Sequence, residues 1–310
     1  MGEWSKKIGE YGENVVEKFL SLIGWNNLAK GIQIDCLCVN GEHLNDKGKP
    51  VHTHGIDFLY SYRNPLVDGL LNNIIISSKY KTEKYPNSPT KQFKWFITDL
   101  INQVECYANS PQKYETQRNF NCQSVNDIGV LFWLNNHSDS DDDLISKVTS
   151  AKFDIVGDRT IYIVDNKRAG FILKVIQYLK SQNEYNYLFY YPSTGRNINP
   201  CNRNNTGTIL PVEYLNSSIL PIKMEKKNNR NETCFMLATI EKFEKDSFMR
   251  LIGLAKDIST NLSGQIIIGF PDYNSLIHGN TVNQAKMGFD DSDFTMTVSV
   301  INYTDTFNIF

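Results

Sequence analysis

The chain has 310 residues, 41% hydrophobic and 21% charged. This is an ordinary globular composition, long enough for one large domain or two of usual size. Its 32 Lys and Arg nearly balance 34 Asp and Glu, so any attraction to nucleic acid or anionic lipid is local rather than global. No apolar run approaches the ~20 residues of a membrane span, and the polar opening MGEWSKKIGEYGE has no signal-peptide core. Six cysteines are too sparse for a disulfide scaffold. A cytoplasmic protein with no membrane association is expected.

The first element reads as a helix between Tyr11 and Trp25, because Val15, Val16, Phe19, Leu20 and Ile23 fall on one helical face. Gly24 is placed to end it in a left-handed conformation, and Glu13 and Glu17 share its polar side. Residues 32–39, 55–62 and 73–81 are β-branched or aromatic and bounded by turn residues, which predicts three strands. Between the first two, residues 40–54 have the chemistry of an exposed loop. A second helix is expected over 93–109. The apolar run of residues 127–135 suits a strand buried on both faces.

The acidic stretch 137–143 reads as a solvated loop. A strand at 160–164, a helix at 169–180 and a strand at 187–191 fit a parallel crossover. The polar, turn-rich run 192–208 suggests a boundary, giving an α/β domain over 1–200 with a mixed sheet and a smaller α/β domain over 206–310. In the latter, strands are expected at 234–240, 265–270 and 294–300 and a helix at 247–262.

Chemistry concentrates in the first 110 residues. An acidic helix carrying Glu13 precedes a strand with a lone Asp57 (GIDFLY), then a strand ending in Lys79 (IIISSKYK), then a helix bearing Gln103 (NQVECY). Strand alternation puts Ser77, Lys79 and Lys81 on one face. A charge inside an apolar strand is costly to bury unpaired, which marks Asp57 as functional. A carboxylate can hold Mg²⁺, which prefers oxygen ligands, while a lysine beside it stabilises a phosphoryl transition state.

This order resembles the PD-(D/E)XK nuclease superfamily: a helix with Glu, a strand with Asp, then a strand with (Asp/Glu)-x-Lys. The resemblance implies a restriction-endonuclease-like core, with Glu13 and Asp57 as metal-binding acids, Lys79 as the motif lysine and Gln103 as the Gln on the following helix. Ser77 stands where the family has its second acid, which weakens the implied Mg²⁺ site. The segments GEWSKKIGEYGENVVEKFLSLIGW, THGIDFLYSY, ISSKY and VLFWLNN are also similar to the nuclease-like A subunits of a two-gene bacterial anti-phage system, the fourth of the defence systems called GAPS. That likeness implies an abortive-infection effector acting on nucleic acid in a hetero-oligomer with the neighbouring gene's product.

The serine leaves two substrate classes open. RNA, tRNA included, carries its own 2′-OH nucleophile and can be cleaved by acid/base groups, for which His54 with Lys79 is a candidate pair. DNA leans more heavily on the metal. A catalytically degenerate sensor of nucleic acid that activates its partner is the alternative function. The basic run holding Lys81, Lys84, Lys91 and Lys94, interleaved with Tyr80, Tyr85, Phe93 and Trp95, suits backbone contacts and base stacking; the patch Lys223, Lys226, Lys227 and Arg230 reads as an ordinary exposed loop. Cys36 and Cys38 with His43, His52 and His54 invite zinc, but the pair lacks the usual C-x2–4-C spacing, and buried reduced cysteines are the expectation. Walker-type and dinucleotide glycine loops are absent, as is a Gly-x-Ser-x-Gly elbow.

Overall fold

A computed structural model describes residues 2–38, 43–45, 47–136, 143–149, 159–198, 203–259 and 264–304. The first element is α1 (Gly2–Leu22), which buries Val16, Phe19 and Leu20 as its period-3.6 pattern requires, with Ile23 buried just beyond its end. It stops at Gly24, whose φ of 84° is open to glycine at no steric cost. There the Gly24 N–H reaches Ser21 O and the Trp25 N–H reaches Leu20 O, satisfying two otherwise orphaned carbonyls.

Five strands form the first sheet: β1 (Ala29–Asp35), β2 (Thr53–Arg63), β3 (Leu70–Lys81), β4 (Ser124–Asn135) and β5 (Ile161–Val164), in that order. β1, β2 and β3 are antiparallel, whereas β3, β4 and β5 run parallel. β3 is central and deeply buried along its first eight residues, with Lys79 emerging near its C-terminal end. α1 covers one face, with Phe19 edge-on to Phe132 at 5.5 Å and Tyr11 edge-on to Tyr80 at 5.4 Å. The opposite face receives α2 (Thr90–Ala108). Phe93, Phe96, Leu100 and Val104 of that helix pack with Leu59, Ile75, Leu131 and Trp133. Fully burying such side chains contributes roughly 1.5–3 kcal/mol each before the entropy of ordering them. α3 (Pro111–Asn119) follows, capped by the Ser110 hydroxyl on the Lys113 N–H, and the short α4 (Leu144–Val148) comes between β4 and β5.

The second sheet runs β11-β10-β9-β8-β6-β7. It comprises β6 (Tyr185–Tyr190), β7 (Thr206–Gly207), β8 (Ile219–Lys226), β9 (Asn229–Thr239), β10 (Gln265–Phe270) and β11 (Val298–Asn302). α6 (Lys245–Ile258) and α7 (Ser275–Lys286) accompany it, and Phe235, Leu237, Phe248, Ile252, Ile268 and Phe270 share its core. The architecture is thus α/β: a five-stranded mixed sheet flanked by helices, plus a second sheet-based unit.

Several expectations need correction. The segment 160–191 is not a crossover within one sheet: β5 edges the first sheet, while β6 pairs antiparallel with β8 in the second. The strand–helix–strand pattern does not say which sheet its last strand joins, and β8, interrupted by Pro221 and Lys223, is not evident from periodicity. The compact units accordingly divide between Gly170 and Phe171, within α5 (Asn166–Ser181), and 196–198 and 211–216 belong to the first unit. The strand expected over 294–300 starts as α8 (Ser292–Met296), because the Asp291 carboxylate caps it at the Phe294 N–H. The exposed loop expected over 40–54 contains two buried residues, His43 and His54. Residues 137–142 of the acidic stretch lie outside the described residues.

Candidate active site

Asp57 enters the first sheet from β2. It lies next to Phe58, whose antiparallel partner on β3 is Ile76, and Ser77 and Lys79 follow on β3, on the face that α2 covers. Its Oδ2 accepts the Ser78 backbone N–H at 2.6 Å, which fixes the carboxylate direction. Burial pushes the Asp57 carboxyl above its ordinary range and Asp99 adds to the rise, against the Ser78 N–H and Lys79. A carboxylate held this way gains from any cation placed beside it.

Lys79 turns towards α2. Its ammonium lies 3.7 Å from Asp99 Oδ2 and 5.6 Å from the centre of the Phe96 ring, so an ion pair and a cation–π contact hold the flexible side chain in one direction. Gln103, one helical turn beyond Asp99, donates to the same Oδ2 at 3.1 Å. From α1, Glu13 is exposed, and its carboxyl is raised by partial burial, by the Asp57 charge and by Glu10. Asp57, Lys79, Ser77 and Gln103 are therefore brought together, and Glu13 lies within their electrostatic field.

Sequence reasoning missed Asp99. The available signal was its position four residues before Gln103, which puts both on one helical face. Two oxygens of this region, Ser77 Oγ and Gln103 Oε1, are buried without a hydrogen-bond partner among the described residues. An unsatisfied buried acceptor costs about 1–3 kcal/mol. Asp57 and Asp99, with the Ser77 hydroxyl and the Gln103 amide oxygen, are oxygen donors of the kind hard divalent cations take, although among the described residues the carboxylates do not draw together into a cluster of three.

A family profile, the GAPS4 protein PD-(D/E)XK nuclease domain, matches residues 1–168. The chain belongs to that family. No curated protein matches it, and neither does any solved structure.

The GAPS4 match covers the whole first sheet and both helices that bear the acids. It supports a nuclease-like defence subunit, of a superfamily that generally uses divalent metal ions. In this GAPS4 domain the remaining sequence candidates are distributed unevenly. Lys81 is half-buried, while Lys84, Lys91 and Lys94 are exposed, the last two on α2. Trp95 is 48% exposed beside them. Tyr85 and Phe93 are buried and cannot stack on bases, since the Tyr85 hydroxyl donates to Trp133 O at 2.6 Å and Phe93 stacks on the Trp133 ring. His54 is buried against His43, with its Nε2 3.3 Å from His43 Nδ1. Burial and the His43 ring hold it below the usual histidine range, with Asp99 acting in the other direction. Among the described residues, no helix is long and apolar enough to cross a membrane.

Proposed function

We propose that the chain is the nuclease subunit of a two-component anti-phage complex, hydrolysing phosphodiester bonds of nucleic acid, DNA in the first place, once infection is sensed. Asp99 carries this reading. The motif position on β3 is serine, but a carboxylate from α2 reaches the same lysine, so the acidic character missing at Ser77 is supplied by a residue distant in sequence. Asp57 and Glu13, with Asp99, would hold the divalent ion, Mg²⁺ being the natural fit to oxygen donors. Such an ion lowers the pKa of a bound water and neutralises phosphoryl charge.

The remaining work falls to the protein. The Ser78 N–H keeps Asp57 pointed at one place. Lys79, steered by Asp99 and Phe96, presents its ammonium to a non-bridging phosphate oxygen and stabilises the charge that builds there. Lys84, Lys91 and Lys94 neutralise backbone phosphates, and Trp95 offers a face for a base. A partner encoded next to this gene completes the complex and sets the trigger.

The test is cleavage of plasmid DNA and of total tRNA by the chain co-purified with its neighbouring-gene product, in Mg²⁺ or in EDTA, beside Asp57→Ala, Lys79→Ala and Asp99→Asn. DNA cleavage that disappears in EDTA and falls at least about a hundredfold in each variant is the expected result, the scale of losing one transition-state contact. Cleavage untouched by Asp57→Ala overturns the assignment. Ser77 favours a second reading, a degenerate sensor that activates its partner. On that reading infected-cell toxicity survives Asp57→Ala and Lys79→Ala while nucleic-acid binding persists.

A further inference from the structure

Beside the acidic site the structure gathers a second cluster that phosphodiester chemistry does not use. Cys36 follows β1, His43 comes from the loop after it, His54 from the start of β2 and Cys106 from the last turn of α2. One ligand atom from each lies within 4.8 Å of all the others. We infer that Cys36, His43, His54 and Cys106 form a structural zinc site.

Four of the six ligand–ligand distances are close to those of a coordination tetrahedron. With Zn–S near 2.3 Å and Zn–N near 2.0–2.1 Å, tetrahedral geometry puts two sulfurs ~3.8 Å apart, sulfur and nitrogen ~3.6 Å, and two nitrogens ~3.4 Å. Cys36 Sγ and Cys106 Sγ are 4.0 Å apart. Each lies 3.5 Å from His43 Nδ1, and His43 Nδ1 is 3.3 Å from His54 Nε2. Neither cysteine is in a disulfide. A tetrahedral S₂N₂ set selects zinc among common cations, and four protein ligands leave no open position, the mark of a structural site rather than a catalytic one.

The surroundings are those a thiolate–imidazole centre requires. The Leu37 N–H donates to Cys106 Sγ at 3.3 Å. On the far side of the His43 ring, Nε2 faces Glu105 Oε2 at 3.5 Å; the tautomer that puts its proton there leaves the Nδ1 lone pair directed into the cluster, as a ligand histidine needs. His43, His54 and Cys106 are buried. Cys38, whose Sγ is 3.1 Å from Cys36 Sγ, is the competing thiol that the sequence pattern suggested. The ligands are instead spread over 71 residues, and the fourth sits on a helix.

Placement gives the site a purpose. Cys106 lies seven residues beyond Asp99, nearly two full turns, so both are on one side of α2. His54 lies three residues before Asp57. The zinc therefore ties the strand that carries Asp57 to the helix that carries Asp99 and Gln103.

The test does not depend on the nuclease reading, because its readout is metal. The full chain is expected to purify with one zinc per molecule and, when loaded with Co²⁺, to give the intense visible bands and thiolate charge-transfer absorption of a tetrahedral S₂N₂ centre. Cys106→Ser and His43→Ala are expected to lose the metal, whereas Cys38→Ser and His52→Ala retain it. Stripping the wild-type chain with a strong chelator is expected to lower its unfolding temperature, and added zinc to restore it. A folded chain that neither contains zinc nor takes up Zn²⁺ or Co²⁺ overturns the proposal. So does zinc retained in Cys106→Ser and His43→Ala, or an iron–sulfur spectrum. Should those variants be insoluble, the cobalt spectrum of the wild-type chain decides alone.

Discussion

Gly12 lies on α1 one residue before Glu13, where the helix meets β3. A Cβ built there would stand 2.2 Å from Tyr80 Cβ and 2.9 Å from Tyr80 Cγ, whereas carbon atoms rest about 3.5–4.0 Å apart. Tyr80 Cβ is the root of its side chain, so no rotamer relieves the contact, and α1 must retreat by more than an ångström. Overpacking of this kind costs about 1–3 kcal/mol, which lowers the melting temperature by roughly 2–12 °C in a unit of this size. Because Glu13 moves with the helix, cleavage by the complex is expected to fall about a hundredfold, the scale of a 1 Å misplacement. Thermal unfolding of Gly12→Ala, read beside DNA cleavage, measures both effects. Tyr80→Ala keeps the offending Cβ and is not expected to rescue Gly12→Ala, whereas Tyr80→Gly removes it and is. Unchanged melting and full activity in Gly12→Ala, or rescue by Tyr80→Ala, would refute the packing argument.

The other expectations follow from charge. Asp57 has a raised folded-state pKa, so the stability linked to its protonated form is present below the ordinary Asp range near 3.9 and is lost as pH rises through the folded value; Asp57→Asn, which can still accept the Ser78 N–H, should therefore melt above wild type at pH 7, lose that advantage in acid and cleave nothing. Since Asp57 and Glu13 are both raised, protons compete with a divalent ion at higher pH than for ordinary carboxylates, and the metal concentration needed for half-maximal cleavage should begin to climb, as pH falls, above the ordinary carboxylate range. A flat metal requirement down to the ordinary carboxylate range would count against these ligands. Lys113 Nζ lies 2.6 Å from Asp127 Oδ2, with the two side chains only 17% and 3% exposed; Lys113→Met strands the carboxylate and should cost about 3 kcal/mol in urea unfolding, most of it regained on adding Asp127→Asn. Replacing Lys91 and Lys94 together by alanine should weaken nucleic-acid binding and flatten its dependence on salt, as the loss of two phosphate contacts requires; an unchanged salt slope places the substrate elsewhere.

Local pattern made much of this protein legible. The face of α1 and its stop at Gly24 follow from side-chain spacing and from the one residue that takes a positive φ freely. The buried strands β3 and β4 follow from their apolar runs, and alternation alone puts Ser77 and Lys79 on one face of β3. A lone Asp57 in an apolar strand marks a charge that needs a partner, and the Ser78 N–H supplies one. The tertiary structure decided what depends on which elements become neighbours. Helical periodicity defines the side of α2 that holds Asp99, Gln103 and Cys106, but not the strand that side will meet. Only the β1-β2-β3-β4-β5 order delivers Asp99 to Lys79, 20 residues away, and Cys106 to Cys36, 70 residues away. The same reason separates β5 from β6. Periodicity is a property of a few consecutive residues, whereas sheet membership and site assembly come from burying distant apolar faces against one another, which no short window of sequence records.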